Sequence, residues 1–164
     1  MTEKFDVFAF GFVADGRIMD NLERRFRLRA PDGSAYIRTE VNDDQPGGWQ
    51  NAHHHKGVRE TYIVQKGWIV AVEAHLLRTV VHVYWPGNIF TAEPGVDHNV
   101  YMPRGAVIHT VQHGMPVGNP EKNGNDWYPA TEAFDRWSKT LSVVDMLRYA
   151  GVTEARIKEL AANA

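Results

Sequence analysis

Cysteine is absent from this chain of 164 residues. Its absence excludes disulfides and thiolate chemistry together, leaves any metal to nitrogen and oxygen ligands, and fits a cytoplasmic setting. A strong charge of either sign is missing too, with a formal net charge of −2 and an isoelectric point near 6.4. Without a broad positive field the chain has no general pull toward phosphate backbones or anionic lipid, so no nucleic acid and no membrane is expected as a partner. Long hydrophobic runs are lacking as well. The apolar stretch in "MTEKFDVFAFGFVADGR" is broken by Gly11 and bounded by Asp6 and Asp15, which is too short to span a bilayer, and it lacks a basic leader and a small-residue cleavage site. Internal repeats and low-complexity tracts are not found.

What is present points to one core. At 43 % hydrophobic content the length suffices for one domain, 1–164, and is short for two. From Phe5 to about Val111, short β-branched and aromatic runs alternate with Gly, Pro, Asp and Asn, which predicts an all-β sandwich or barrel with its core at about 5–113. The runs include "FDVFAFGFV", "RRFRLRA", "AYIRTEV", "ETYIVQ", "WIVAVEA" and "AVIHTVQ". "APDGSA" at 30–35 is a hairpin signal, because proline presets one φ and glycine accepts a positive one. The segment 114–130, rich in Pro and Gly, reads as irregular and on the surface. Short helices are expected at about 131–162, capped by Thr131, Ser142 with Asp145, and Thr153, and stopped at Gly151. They are expected to pack Phe134, Trp137, Leu141, Val144, Met146 and Leu147 on the outside of the sheet or on a neighbouring subunit.

The chemistry concentrates in "HHHKGVRETYIVQKG" at 53–67. Alternate side chains of a strand share a face, so His53 and His55 can converge while His54 points away. "KGVR" permits a bend, after which Glu60 returns a carboxylate toward the two imidazoles, and His98 follows a tight turn in "EPGVDHNVYM". Three neutral imidazoles and a carboxylate suit one divalent transition metal ion, such as Fe, Mn, Ni, Zn or Cu, better than Ca or Mg.

The spacing Gly47, five residues, His53-x-His55, four residues, Glu60, six residues, Gly67 matches the first characteristic motif of the cupin superfamily, which the chain therefore resembles. Gly87, five residues, Glu93-Pro94-Gly95, two residues, His98 matches the second in part. Its proline comes one place late, and Met102 stands where asparagine is common. The resemblance covers about residues 47–111. It implies a double-stranded β-helix (jelly-roll) barrel with His53, His55, Glu60 and His98 as inward-pointing metal ligands, commonly paired as a homodimer. The apolar N-terminal run is a candidate for adding to a partner's sheet edge.

Four protein ligands leave one or two positions open on a five- or six-coordinate ion, so a small-molecule substrate can bind there directly. Sugar hydroxyl and carbonyl oxygens could chelate while a base moves a proton. Glu60, Tyr62 and His109 are the catalytic candidates; Tyr62, Met102, His109 and Arg104 are candidate substrate contacts. Filling the barrel is the competing role for Tyr62, and a buried core histidine the competing role for His109. Lys56, Arg59 and Arg104 near the turns could meet an anionic substrate, although charges on turns are usually just solvated. The expectation is a metal-dependent isomerase or epimerase of a sugar or sugar derivative. An iron dioxygenase, a cupin-type lyase and a non-catalytic binding protein are the alternatives.

Overall fold

The computed structural model describes residues 3–6, 13–19, 23–122 and 125–162. The strands are β1 (Glu3–Asp6), β2 (Val13–Ile18), β3 (Arg24–Arg29), β4 (Ala35–Glu40), β5 (Gly47–Trp49), β6 (His53–His54), β7 (Val58–Lys66), β8 (Ile69–His75), β9 (Arg78–Tyr84), β10 (Ile89–Ala92), β11 (Asp97–Pro103), β12 (Val107–Gly114) and β13 (Tyr128–Pro129). The helices are α1 (Glu132–Thr140), α2 (Val143–Tyr149) and α3 (Glu154–Ala161). Strands β1-β2-β3-β4-β12-β7-β10 form one antiparallel sheet; β13-β6-β11-β8-β9 form the second, with β5 also on β11. Together the sheets make a jelly-roll β-barrel. Of the N-terminal run "FDVFAFGFV", residues 7–12 lie outside the described residues.

Alternation explains the barrel wall. On β7 the side chains of Val58, Glu60, Tyr62 and Val64 are buried while Arg59 is exposed, which is the period of a strand with one face in a core. β8 breaks that alternation, since Ile69, Val70, Ala71 and Val72 are all buried. It needs two apolar faces because it lies between two cores. Ile69 joins Tyr62, Val64, Val100, Met102 and Ile108 in one cluster, whereas Val70 and Val72 join Phe134, Met146, Leu147, Ile157 and Leu160 from the helices in the other.

The helices therefore cover the outer face of the second sheet. Leu141 and Val144 pack partly buried against this layer. Trp137, expected beneath it, is 37 % exposed, and α3, whose apolar face reads as thin, buries Ile157 and Leu160. Thr131 accepts from the Phe134 N–H, and Ser142 and Asp145 form a reciprocal capping box. Thr153 occupies the third cap position but its side chain accepts no capping hydrogen bond. Among the described residues no helix is long and apolar enough to cross a membrane.

Candidate metal centre

His53 on β6 and His98 on β11 are direct cross-strand partners, which places the two imidazoles side by side. His55 follows β6, and the Lys56–Gly57 bend leads into β7 and Glu60. Glu60 Oε2 lies 3.4 Å from His53 Nε2 and 3.3 Å from His98 Nε2, and Glu60 Oε1 lies 3.3 Å from His55 Nε2. The four ligand atoms fall within 4.8 Å of one another, and all four residues are buried.

The far side of each ring fixes its tautomer. Nδ1 of His53 faces the Asn51 carbonyl at 2.9 Å, Nδ1 of His98 faces the Val96 carbonyl at 2.9 Å, and Nδ1 of His55 faces the Asp126 carbonyl. A carbonyl only accepts, so each Nδ1 carries the proton and each Nε2 lone pair is aimed at the centre. Among the described residues, Nε2 of His55 is buried with no hydrogen-bond partner. An ion in the centre would satisfy it, and the donor set of three nitrogens and one carboxylate fits a divalent cation.

The electrostatics agree with that fit. Burial would raise the Glu60 carboxyl, but the three imidazoles facing it outweigh burial and hold it well below the usual carboxylate range. Burial and neighbouring His98 push His53 down to about 4, which keeps that ring neutral. Burial and the charge of Glu60 raise the Tyr62 phenol well above its ordinary value. Tyr62 accordingly donates to Glu60 Oε2 at 2.5 Å, and Gln112 Nε2 donates to Oε1 at 2.5 Å.

A cavity of about 770 Å³ opens from this centre, with His53, His55, Glu60 and Tyr62 in its wall. Trp127 also lines it and stacks on His53 at 5.4 Å between ring centroids.

No family model and no curated protein matches the chain. Solved structures do. The oxalate decarboxylase of Bacillus subtilis, described for its Mn(II) centres, superposes with a TM-score of 0.57 at 16 % identity over 98 % of this chain and 39 % of that one. The oxalate decarboxylase of Lactobacillus farciminis in its formate complex gives a TM-score of 0.54 at 15 % identity over 98 % of this chain and 44 % of that one. The chain has the cupin fold. It spans about two fifths of the length of those enzymes.

Within this fold, the residues singled out from sequence divide into two groups. His53, His55, Glu60, His98 and Tyr62 meet at one point. His109 does not join them. Its ring is on the outer face of β12, with Nδ1 2.7 Å from the Tyr36 hydroxyl and Nε2 2.6 Å from Gln65 Oε1, while Ile108 is buried in the barrel and Thr110 and Gln112 line the cavity. Ala106, Val107 and Ile108 are all buried, so the apolar run entering β12 carries no phase, and the register shift between Val107 and Ile108 completes the change of face.

Met102 is fully buried in the barrel core among Val41, Tyr62 and Ile108, so it packs where a substrate contact was expected. Arg104 is exposed in the turn after β11, six residues and about 20 Å along the strand direction from His98. Lys56 sits over the Tyr128 ring and Arg59 pairs with Glu93 at 2.8 Å, so neither turns into the cavity.

Sequence reading missed several contributors. Gln112 was hidden by the β12 phase. Asp126 lies in the segment read as irregular surface, yet its carboxylate accepts from the Lys56, Gly57 and Val58 N–H groups at 2.8, 2.8 and 2.9 Å and clamps the bend between His55 and Glu60. Arg25, Arg27 and Arg29 line the cavity from β3, and their every-other-residue spacing was the available signal.

Proposed function

We propose that this cupin is a metal-dependent enzyme acting on a small, oxygen-rich molecule bound at the ion, and that the reaction is isomerisation or epimerisation of a sugar or sugar derivative. The observation that carries this reading is a four-residue ligand set opening into a cavity of about 770 Å³ with the Tyr62 hydroxyl 2.5 Å from the ligand carboxylate. A bound divalent ion would supply Lewis acidity, drawing charge from a substrate carbonyl or hydroxyl oxygen.

The chain's own side chains do the rest. Gln112 and Tyr62 hold the two oxygens of Glu60 and so fix its orientation toward the three imidazoles. Trp127, stacked on His53, covers one side of the centre against water. Tyr62 is the group placed to give a proton to the reacting substrate as a general acid, because its phenol is buried beside the centre and protonated.

Incubation of the metal-loaded protein with ketoses and aldoses in D₂O, followed by NMR, tests the reading. One deuteron is expected at the carbon beside the carbonyl. Tyr62→Phe is expected to slow that exchange by about 100-fold or more with metal content unchanged. A cupin-type lyase is the second reading, favoured by the likeness to oxalate decarboxylases; it predicts a cleaved product and no deuterium in recovered substrate. Binding without either change would leave a non-catalytic binding protein.

A further inference from the structure

Of the strands that end the two sheets, β9 is the longest, with seven residues against four in β1, four in β10 and two in β13. Its composition suits an inner strand. "RTVVHVY" holds four β-branched residues, no proline and one fixed charge, and its register with β8 runs unbroken from Tyr84 to Arg78, with no bulge to turn the edge away.

The hairpin that joins β8 to β9 decides which backbone groups stay open. His75 pairs with Arg78 across the two-residue turn of Leu76 and Leu77, and such a closing pair exchanges hydrogen bonds. The bonded role alternates along an antiparallel ladder. Val80, His82 and Tyr84 therefore turn their backbone groups to β8, as Arg78 does, while Thr79, Val81 and Val83 turn theirs outward. Trp85 keeps the same parity, its N–H donating to Asn88 Oδ1 at 2.9 Å. Among the described residues no strand takes up the outward groups of β9.

Both ends of this edge are apolar. Leu76 and Leu77 are 99 % and 93 % exposed in a two-residue hairpin turn, where Asn, Asp or Gly is favoured, so local structure gives no reason for them. At the far end, past Trp85, Ile89 is 63 % exposed.

We propose that β9 pairs antiparallel with β9 of a second copy about a two-fold axis at Val81, joining the second sheets of two chains into one. In this register Thr79 lies opposite the partner's Val83, and Val81 lies opposite the partner's Val81, so all three outward-turned residues find backbone bonds. The same operation carries Leu77 to the partner's Trp85 and the partner's Leu77 to Trp85, as a closed isologous contact requires. Charge is compatible too. Arg78 falls opposite the partner's Tyr84 and His82 opposite the partner's Val80, so no like charges meet. A seven-residue strand pair alone falls short of the about 1,200 Å² that a stable interface buries, and Leu76, Leu77, Trp85 and Ile89 widen it at both ends. The dimer is accordingly weak, with dissociation in the micromolar range.

Sedimentation velocity of the full chain over about a 100-fold range of micromolar concentrations tests the pairing. The average mass is expected to climb from 18.6 kDa toward twice that value. Thr79→Pro removes one outward N–H and leaves the β8 ladder intact, and Leu76→Asp combined with Leu77→Asp changes only exposed turn residues. Each is expected to keep the mass of one chain at every concentration. Met115→Asp, at a residue 85 % exposed in the segment after β12, is expected to dimerise like the parent. Should Thr79→Pro fail to fold, the aspartate variant decides the matter. Amide exchange at low and high concentration adds the register: protection should grow at Thr79, Val81 and Val83 and stay level at Val80 and His82, which are already bonded to β8. A chain that stays monomeric throughout, a dimer kept by the folded edge variants, or protection gained on another strand overturns the proposal.

Discussion

Three imidazoles and a carboxylate make a metal centre only when every ring offers its Nε2 lone pair, and that is decided one residue out from the ligands. Backbone carbonyls of Asn51, Val96 and Asp126 take the Nδ1 protons, so the chain path behind the rings sets their tautomers. Asp126 matters twice, since its side chain also closes the bend after His55. Asp126→Ala is therefore expected to weaken metal binding by about 10–100-fold, read by competition with a chelating dye. It should also lower stability by about 2–3 kcal/mol in urea, because the backbone N–H groups around it lose a charged acceptor. The pH dependence has a definite sign. Burial would raise the Asp126 carboxyl, but the N–H donors of Lys56, Val117, Gly57 and Val58 hold it below 3.8. A depressed folded value means the stabilisation is fully present above 3.8 and is lost as the pH falls through the folded value. Urea melts should therefore show the gap between wild type and Asp126→Ala narrowing in acid. At the ligands themselves, His98→Ala is expected to lose the ion in elemental analysis of protein purified without a tag. Full occupancy in that variant would remove His98 from the ligand set.

Among the elements, legibility followed alternation. β7 could be read correctly because Glu60, Tyr62 and Val64 share a face that exposed Arg59 interrupts. β12 could not, since three consecutive buried apolar residues precede His109 and leave two phases equally plausible. The segment 114–130 looked irregular because Pro and Gly mark turns without saying what the turns enclose. Its Asp126 and Trp127 reach the centre only through long-range contacts that local composition does not encode. Glycines were more readable. Gly47 and Gly87 both have positive φ, at 72° and 86°, but their surroundings differ. A Cβ on Gly47 would lie 2.2 Å from the Met102 carbonyl oxygen, whereas one on Gly87 would meet nothing within 4 Å. Gly87→Ala is expected to cost only the left-handed backbone penalty, about 1–2 kcal/mol. Gly47→Ala should cost at least about 2 kcal/mol more, because β5 must move off β11. Chemical denaturation of the two variants side by side checks the difference, and equal losses would mean that β5 yields easily.

Across the whole molecule the ligands are distributed so that one ion would join both sheets. His53 and His98 belong to the sheet of β6 and β11, Glu60 to the sheet of β7, and His55 to the link between them. Opening either sheet away from the other would break at least one ligand bond, so binding energy is coupled to global unfolding instead of to a local loop. At a free metal concentration of 100 times Kd, the gain is expected to be about 2.7 kcal/mol. For a chain of this size that raises the melting temperature by about 5–10 °C. Scanning calorimetry at stepped zinc concentrations should show one transition that climbs with the logarithm of free metal, and chelation should return it to its starting point. Amide exchange adds the spatial check. Protection should rise together on β7, β8 and β11, and a rise confined to residues 53–60 would show that the ion orders only the bend and does not tie the sheets.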